Sequence, residues 1–370
     1  MPALDVSEII LIGTGGGYGE SVVIHLADNH WIVVDSCIDP TSKASLPMQY
    51  LRDKGVDLSK DVKLIICTHW HNDHILGLYE LFEACTSAEF CFAPCHDVQK
   101  FLFLVSLDYK KAERGIPNSS TTIFIKCIEL ARHRKVRVKR AVQDKLLYKH
   151  KEYEIFALSP SDYTLEKYDE EVSTLITEFG NTDKRIITSS PNSKSIALYV
   201  KLNNHRAILG ADLEVSNDAR EGWINIIDNC TKTVIDQKAS LFKVPHHGSE
   251  NGYHIDIWNT LLTEQVNANL TPWNRKQKLP TTQMLEVMYG HTDKLYITSN
   301  VIGSKPKKRE KGIEKFIQQI NPSLREVKFR YGLIRCTIEG KDPKGKWATF
   351  TEGSAMPASQ VLREMRTTSL

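Results

Sequence analysis

The sequence predicts an α/β fold with its reactive residues gathered at strand ends, and three observations carry that expectation. The apolar run at residues 64–67 stops at Thr68, and His69, His71, Asp73 and His74 follow within six positions. Two more apolar runs end in an acid: residues 31–34 lead into Asp35, and residues 207–211 into Asp212. Residues 241–244 run through Pro245 into the pair His246 and His247. Short apolar runs bounded by turn residues and interleaved with helical spacings read as strands and helices in alternation.

The dense stretch is a set of metal donors. Two imidazoles at i and i+2, then a carboxylate and a third imidazole, offer borderline and hard ligands suited to zinc or manganese. Four ligands in one tight loop cannot easily surround a single ion. Two ions are simpler, with His69 and His71 on one and Asp73 and His74 on the other.

Taken in order, residues 9–12 and 21–26 read as strands flanking a glycine-rich stretch, Gly13 to Glu20. A phosphate-cradling loop would need a closing Lys-Ser or Lys-Thr pair and a helix after it. This stretch has neither, so a hairpin turn is expected, with its bare backbone available as a wall of the site. Residues 41–60 are expected to be helical, as are residues 78–82 after the histidine loop. Residues 96–150 read as a helical insertion, with helical spacing at 96–110 and 121–133. Arg132, Arg134, Lys135, Arg137, Lys139 and Arg140 follow with no acid among them. That run fits a solvated face or a phosphate-tracking surface. Beyond it come a strand at 154–160, a polar helix and loop at 165–184, a turn cluster at 189–195 and a strand at 196–202. After the paired histidines, a strand at 267–272 leads to Trp273, Asn274, Arg275 and Lys276, then a helix reaches about Tyr289 and a strand closes at 295–298. A second basic run at 305–311, a helix at 313–320 and strands near 331–336 and 347–350 complete one domain over residues 1–352. Residues 353–370 read as a flexible tail.

His69-Trp-His71-Asn-Asp73-His74 resembles the His-x-His-x-Asp-His signature of the metallo-β-lactamase superfamily. That resemblance implies a four-layer αββα sandwich with two divalent metal ions, zinc or manganese, at one edge. The turn Asn192-x-x-Ser195, the stretch Gly210-x-Asp212-x-Glu214 and Lys243-Val-Pro-His246-His247-Gly-Ser249 resemble the branch containing the nuclease-like domain of the DNA-uptake protein ComEC. From these likenesses Asp35 is expected to hold the ligand loop by hydrogen bonds, and Asp212 to bridge the metals. A further metal-binding histidine between His74 and Asp212 has no obvious counterpart, and Asn192 stands near its place. Either His246 or His247 is expected as the last ligand; strand geometry favours His246, which would leave His247 to contact a substrate phosphate or shuttle a proton. The expected ligands are therefore His69, His71, Asp73, His74, Asp212 and His246, with Asp73 and His247 as the catalytic groups. Asp35, Asn192, Ser195 and Ser249 are expected to support the ligands or meet substrate.

Composition narrows the setting. A formal net charge of +3 on 370 residues leaves any preference for anions to local patches. Eight cysteines in a chain of this length are too sparse for a disulfide scaffold, and Cys67, Cys91 and Cys127 sit in apolar runs where a buried free thiol is expected. The first residues lack the pattern of a signal peptide, and no stretch approaches the roughly 18 apolar residues of a membrane span. The chain reads as cytoplasmic, with no membrane partner.

Two divalent ions about 3.5–4 Å apart can activate a hydroxide and stabilise both oxygens of an in-line displacement. The ligand set alone permits attack on a carbonyl or on phosphorus. The two basic runs, the pair Arg275 and Lys276 on a presumed edge loop, and the ComEC-like motifs favour phosphoryl transfer. A metal-dependent phosphodiesterase or nuclease is expected, with Arg134, Lys135, Arg137, Arg140, Arg275 and Lys276 meeting nucleic acid. The alternatives are a hydrolase of a small nucleotide or other small ester, and a metal-binding effector module that needs a protein partner.

Overall fold

Most strands of the first half are built on apolar runs, and their pairing builds two sheets in succession. The computed structural model describes residues 5–15, 19–113, 120–179, 191–274, 278–300, 331–339 and 341–368, with 312, 315, 316 and 319 singly. β1 (Val6–Thr14) and β2 (Gly19–His25) form an antiparallel hairpin in which Ile9 faces Ile24 and Leu11 faces Val22. β3 (Trp31–Val34) pairs antiparallel to β2, and β4 (Val62–Ile66), β5 (Glu89–Phe92) and β6 (Val138–Arg140) extend the sheet in parallel. The chain then starts the second sheet with the antiparallel strands β7 (Leu146–His150), β8 (Tyr153–Ala157), β9 (Leu198–Leu202) and β10 (His205–Leu209). β11 (Ala239–Lys243) and β12 (Leu262–Leu270) add to β10 in parallel. A small hairpin, β13 (Trp273–Asn274) with β14 (Lys278–Leu279), stands apart. β15 (Leu295–Ile297) continues the second sheet, β16 (Gly332–Glu339) and β17 (Ala348–Gly353) return to the first beside β1, and β18 (Met356–Pro357) ends the second. Among the described residues, each of the two large sheets has eight strands.

Side-chain alternation decides the layers. Ile9, Leu11, Val22, Ile24, Val34 and Ile66 pack with Leu198, Val200, Leu209 and Leu241 between the sheets. Their neighbours Ile10, Ile12, Val23, Val33 and Ile65 face outward under helices. Those helices are α1 (Leu46–Asp53), α2 (Asn72–Ile75), α3 (Leu78–Ala84), α4 (Val98–Glu113), α5 (Ser120–Arg134) and α6 (Asp162–Phe179). On the far side, α7 (Gly222–Asn229), α8 (Thr282–His291) and α9 (Ala358–Thr368) cover Tyr199, Ile208 and Phe242. The order is helix, sheet, sheet, helix: the αββα sandwich that the resemblance implied.

The residues read as a helical insertion, 96–150, are packed into the sandwich and do not project from it. α4 and α5 form the crossover from β5 to β6, with Phe101, Leu104, Val105, Phe124, Ile125 and Ile128 buried in the outer core. Helical spacing disclosed the helices but not the sheet face they cover. Residues 353–370 are not a loose tail either, because β18 pairs with β15 and α9 buries Ala358, Val361 and Leu362. Three apolar anchors at i, i+3 and i+4 suffice to dock that helix. The expected helix at 313–320 and the basic run at 305–311 lie outside the described residues, apart from the single positions 315, 316 and 319.

Parallel pairing puts like strand ends together. β3 and β4 run parallel in one sheet, and β10, β11 and β12 in the other. Asp35 follows β3, His69 to His74 follow β4, Asp212 follows β10, and His246 and His247 follow β11.

Candidate metal centre

The buried carboxylate of Asp212 is the meeting point of these segments. Its Oδ2 lies 3.3 Å from His74 Nε2, 3.5 Å from His247 Nε2 and 3.9 Å from His69 Nε2. Asp73 Oδ2 stands 3.6 Å from His74 Nε2 and 3.3 Å from His247 Nε2.

All three rings are oriented the same way, through the opposite nitrogen. His74 Nδ1 donates to Asp35 Oδ2 at 2.7 Å, His247 Nδ1 donates to the Thr271 carbonyl at 3.0 Å, and His69 Nδ1 donates to Thr68 Oγ1 at 3.1 Å. The Thr68 hydroxyl is free to accept because its own proton goes to Asp35 Oδ2 at 2.6 Å. Asp35 also accepts from the Thr68 amide at 2.7 Å, so one carboxylate holds the loop before His69 and the ring of His74. With Nδ1 engaged in each ring, the three Nε2 atoms point toward Asp212, where they offer lone pairs to a cation whenever the rings are neutral.

Backbone conformation helps to aim these groups. Asp35, Ala211, His246 and His247 all have positive φ, at 58°, 44°, 44° and 55°. Non-glycine residues rarely adopt that region, and such strain concentrates at functional sites. Gly19 supplies the close approach expected of the glycine-rich hairpin, since a Cβ there would collide with the Asp73 carbonyl. Gly16 to Tyr18, at the tip of that hairpin, lie outside the described residues.

The charges are strongly perturbed. Burial works against ionised His74, but Asp212, Asp73 and Asp35 outweigh it and hold its pKa well above the usual value. His247 is shifted the same way, with burial opposed by Asp212 and Asp73. Burial and the neighbouring His74 push His69 well below the usual value, and burial also lowers His71. Burial opposes ionised Asp212 too, yet His74 and His247 hold its carboxyl far below the carboxylate range. Asp35 goes the other way, raised chiefly by burial.

The donor set fits a divalent cation. His69 Nε2, His74 Nε2 and Asp212 Oδ1 are buried without a hydrogen-bond partner, a costly arrangement that a cation would relieve. Ligand atoms of Asp73, His74, Asp212 and His247 lie within 4.8 Å of one another, as do those of Asp35, His69 and His74. The first group could hold one ion. His69 and Asp212 Oδ2 could contribute to a second, whereas the hydrogen bonds of Asp35 already commit it to Thr68 and His74.

Other expected residues are placed less centrally. His71 is half-buried and packs edge-on against His69, with ring centroids 4.8 Å apart, outside both converging groups. Of the paired histidines, His247 lies within a converging group and His246 outside both. His247 reaches Asp73 and Asp212, while His246 Nε2 lies 3.0 Å from Asn192 Nδ2 and its Nδ1 lies 3.3 Å from Glu214 Oε1. A left-handed turn at both residues swings consecutive side chains apart, which straight strand geometry cannot anticipate. Asn192 also donates to Glu214 Oε1 at 3.1 Å. Ser195 is fully buried and its amide donates to the Asn192 carbonyl at 3.0 Å. The Ser249 hydroxyl donates to Asn251 Oδ1 at 2.6 Å, within its own turn.

The basic residues divide. Arg134 donates to the carbonyls of Phe82 and Glu83 at 2.8 and 2.6 Å, closing the end of α3. Lys139 pairs with Glu89 at 2.6 Å. Lys135, Arg137 and Arg140 are exposed. Arg275 and Lys276 lie outside the described residues.

Sequence reasoning missed several neighbours of the cluster. Thr68 and Thr271 fix tautomers, Trp273 packs on His247 with ring centroids 5.4 Å apart, and Glu20, Lys243 and Glu214 bring charge to its margins. Only Lys243 and Glu214 carried a signal, as parts of the quoted motifs.

Comparison with known proteins agrees with the motif. Residues 14–93 match the model of the metallo-beta-lactamase superfamily. No curated protein matches the chain. Among solved structures, the metallo-beta-lactamase fold protein YhfI from Bacillus subtilis shows 13% identity and a TM-score of 0.34, covering 65% of this chain and 70% of its own. Metallo-beta-lactamase SMB-1 bound to 2-mercaptoethanesulfonate shows 16% identity and a TM-score of 0.32, covering 64% and 76%. Among the described residues, no helix is long and apolar enough to cross a membrane.

Proposed function

From a chain with the metallo-β-lactamase fold, whose residues 14–93 match that superfamily, we propose a metal-dependent phosphodiesterase, with nucleic acid the first substrate to test. The observation that carries the reading is the convergence of three imidazole Nε2 atoms on Asp212 Oδ2 at 3.3–3.9 Å, with Asp73 alongside. Asp73, His74, Asp212 and His247 would hold one divalent ion, and His69 with Asp212 a second. Bound ions supply water activation and Lewis-acid polarisation of the scissile bond. Asp35 and Thr68 keep His74 and His69 in the ligating tautomer, and Thr271 does the same for His247. The side chains of His246 and Asn192 stand beside the cluster without joining it, where they can orient an incoming phosphate oxygen. A set of imidazoles and carboxylates without thiolate suits zinc or manganese, and the exposed Lys135, Arg137 and Arg140 remain available to a polyanion.

A small substrate is the second reading, favoured by one feature. A groove of about 640 Å³ beside Glu214 is lined by Glu170, Glu171, Glu214 and Glu221 against Lys167 and Lys194. Lys167 pairs with Glu221 at 2.7 Å and Lys194 with Glu171 at 2.5 Å, so the described residues on that side offer no cationic track to a long polyanion.

One experiment separates the readings. The purified protein is incubated with labelled single- and double-stranded DNA and RNA, bis(p-nitrophenyl) phosphate and a p-nitrophenyl acyl ester, in manganese, zinc or magnesium. Chelator-sensitive cleavage of phosphodiesters is expected. Cleavage of the small diester alone, or of the acyl ester alone, selects the second reading, and no chelator-sensitive turnover of any of these substrates overturns both.

A further inference from the structure

We propose that the buried Lys243–Glu20 ion pair, which no catalytic step uses, is a positioning device for Asp212. The proposal rests on the reading of the cluster as a metal centre. Both side chains are almost wholly buried, Lys243 at 2% exposure and Glu20 at 3%. Lys243 sits on β11 of one sheet and Glu20 on β2 of the other, so the pair spans the sandwich beneath the cluster. An ion pair in such a place costs desolvation that well-packed apolar side chains would avoid, so its presence needs a reason other than stability.

The hydrogen bonds supply that reason. Lys243 Nζ donates to the Ala211 carbonyl at 2.8 Å and stands 4.0 Å from Asp212 Oδ1. The same Ala211 carbonyl accepts the His246 amide at 3.0 Å. Ala211 has a positive φ of 44°, a conformation an alanine does not hold unaided. One carbonyl thus ties the turn that presents Asp212 to the turn that presents His247, and the ammonium clamps it. Glu20 fixes the ammonium from the opposite sheet, where it follows Gly19, the residue packed against the Asp73 carbonyl. The segments bearing Asp73, Asp212 and His247 are therefore registered through a single buried charge.

Two variants test the device: Glu20→Gln, which keeps an acceptor for the lysine, and the double replacement Lys243→Met with Glu20→Met, which leaves no buried charge unpaired. Cobalt(II) binding is followed by competition with a chelator and by the visible absorption spectrum, beside thermal unfolding of the metal-free proteins. The expected result is a Tm close to that of the parent. Cobalt affinity falls at least tenfold in the double variant and severalfold in Glu20→Gln, and the absorption band is altered in both. Should the double variant not fold, Glu20→Gln decides alone. Parental affinity and spectrum in the folded variants overturn the proposal, as does an affinity that falls only in step with Tm. Absence of cobalt binding by the parent protein would instead overturn the metal-centre reading, a distinct result.

Discussion

His74 Nδ1 donates to Asp35 Oδ2 at 2.7 Å, and that bond turns the other nitrogen of the ring toward Asp212. Asp35 is itself buried and also accepts from both the amide and the hydroxyl of Thr68, so it orders the entry to the histidine loop as well as one of its rings. Partners of this kind act on metal affinity without touching the ion. Asp35→Asn is expected to weaken metal binding roughly 10–100-fold while leaving the number of ions bound at saturation unchanged. Chelator competition read against elemental analysis checks it; an unchanged affinity would relieve Asp35 of the role.

His246 and His247 are expected to separate cleanly. His247→Ala removes an imidazole 3.3 Å from Asp73 and 3.5 Å from Asp212, so the metal content of purified protein should fall. His246→Ala should leave it intact and lower turnover instead, because that ring faces Asn192 and Glu214. Elemental analysis of the two variants side by side decides the point, and the reverse pattern would restore His246 as the ligand.

Asp212 and Asn192 differ in reach. Asp212 Oδ2 faces three imidazoles, whereas Asn192 meets His246 and Glu214 at the edge of the cluster. Asp212→Ala is expected to abolish metal-dependent turnover, and Asn192→Ala to reduce it with metal content preserved. Equal inactivation with equal metal loss would place Asn192 among the ligands.

The basic stretch near β6 should behave as two sets. Arg134→Ala removes two hydrogen bonds to the end of α3 and is expected to cost about 1–3 kcal/mol of stability, read by denaturant unfolding. Replacing the exposed Lys135, Arg137 and Arg140 by Gln should leave stability alone. If these three meet phosphates, the slope of log affinity for polymer against log salt falls by about 0.7–0.9 for each phosphate no longer neutralised. An unchanged slope would leave the run a solvated edge.

His25 predicts a pH dependence remote from the cluster. It is fully buried beside Trp31, its Nδ1 donates to the Val6 carbonyl at 2.8 Å, and burial lowers its pKa from 6.5 to about 4. The unfolded chain therefore binds the proton more readily between those values. Its contribution is fully present above pH 6.5 and is lost as pH falls toward 4, by about 3 kcal/mol at most. Unfolding free energies of the parent and His25→Gln at pH 7 and pH 5 should converge on acidification; a gap that stays constant would exclude the effect.

The sequence by itself determined the donor types, their spacing and their places at strand ends, because each is a local property of a few consecutive residues. Residues 64–74 disclosed a strand feeding a ligand loop, and Asp35, Asp212 and the paired histidines disclosed the other strand ends. The strands at 9–12, 31–34 and 207–211 were legible for the same reason, since an apolar run between turn residues has few other uses. Tertiary structure alone decided which donors meet. That His247 and not His246 faces Asp73 and Asp212 depends on left-handed backbone at both, which no side-chain pattern encodes. The partnership of Lys243 with Glu20 joins residues on different sheets. α4 and α5 became part of the core because β6 pairs beside β5, and Arg134 became a cap because α5 packs near the end of α3. Periodicity shows that a helix has an apolar face, but the partner that face meets is fixed by contacts distant in sequence.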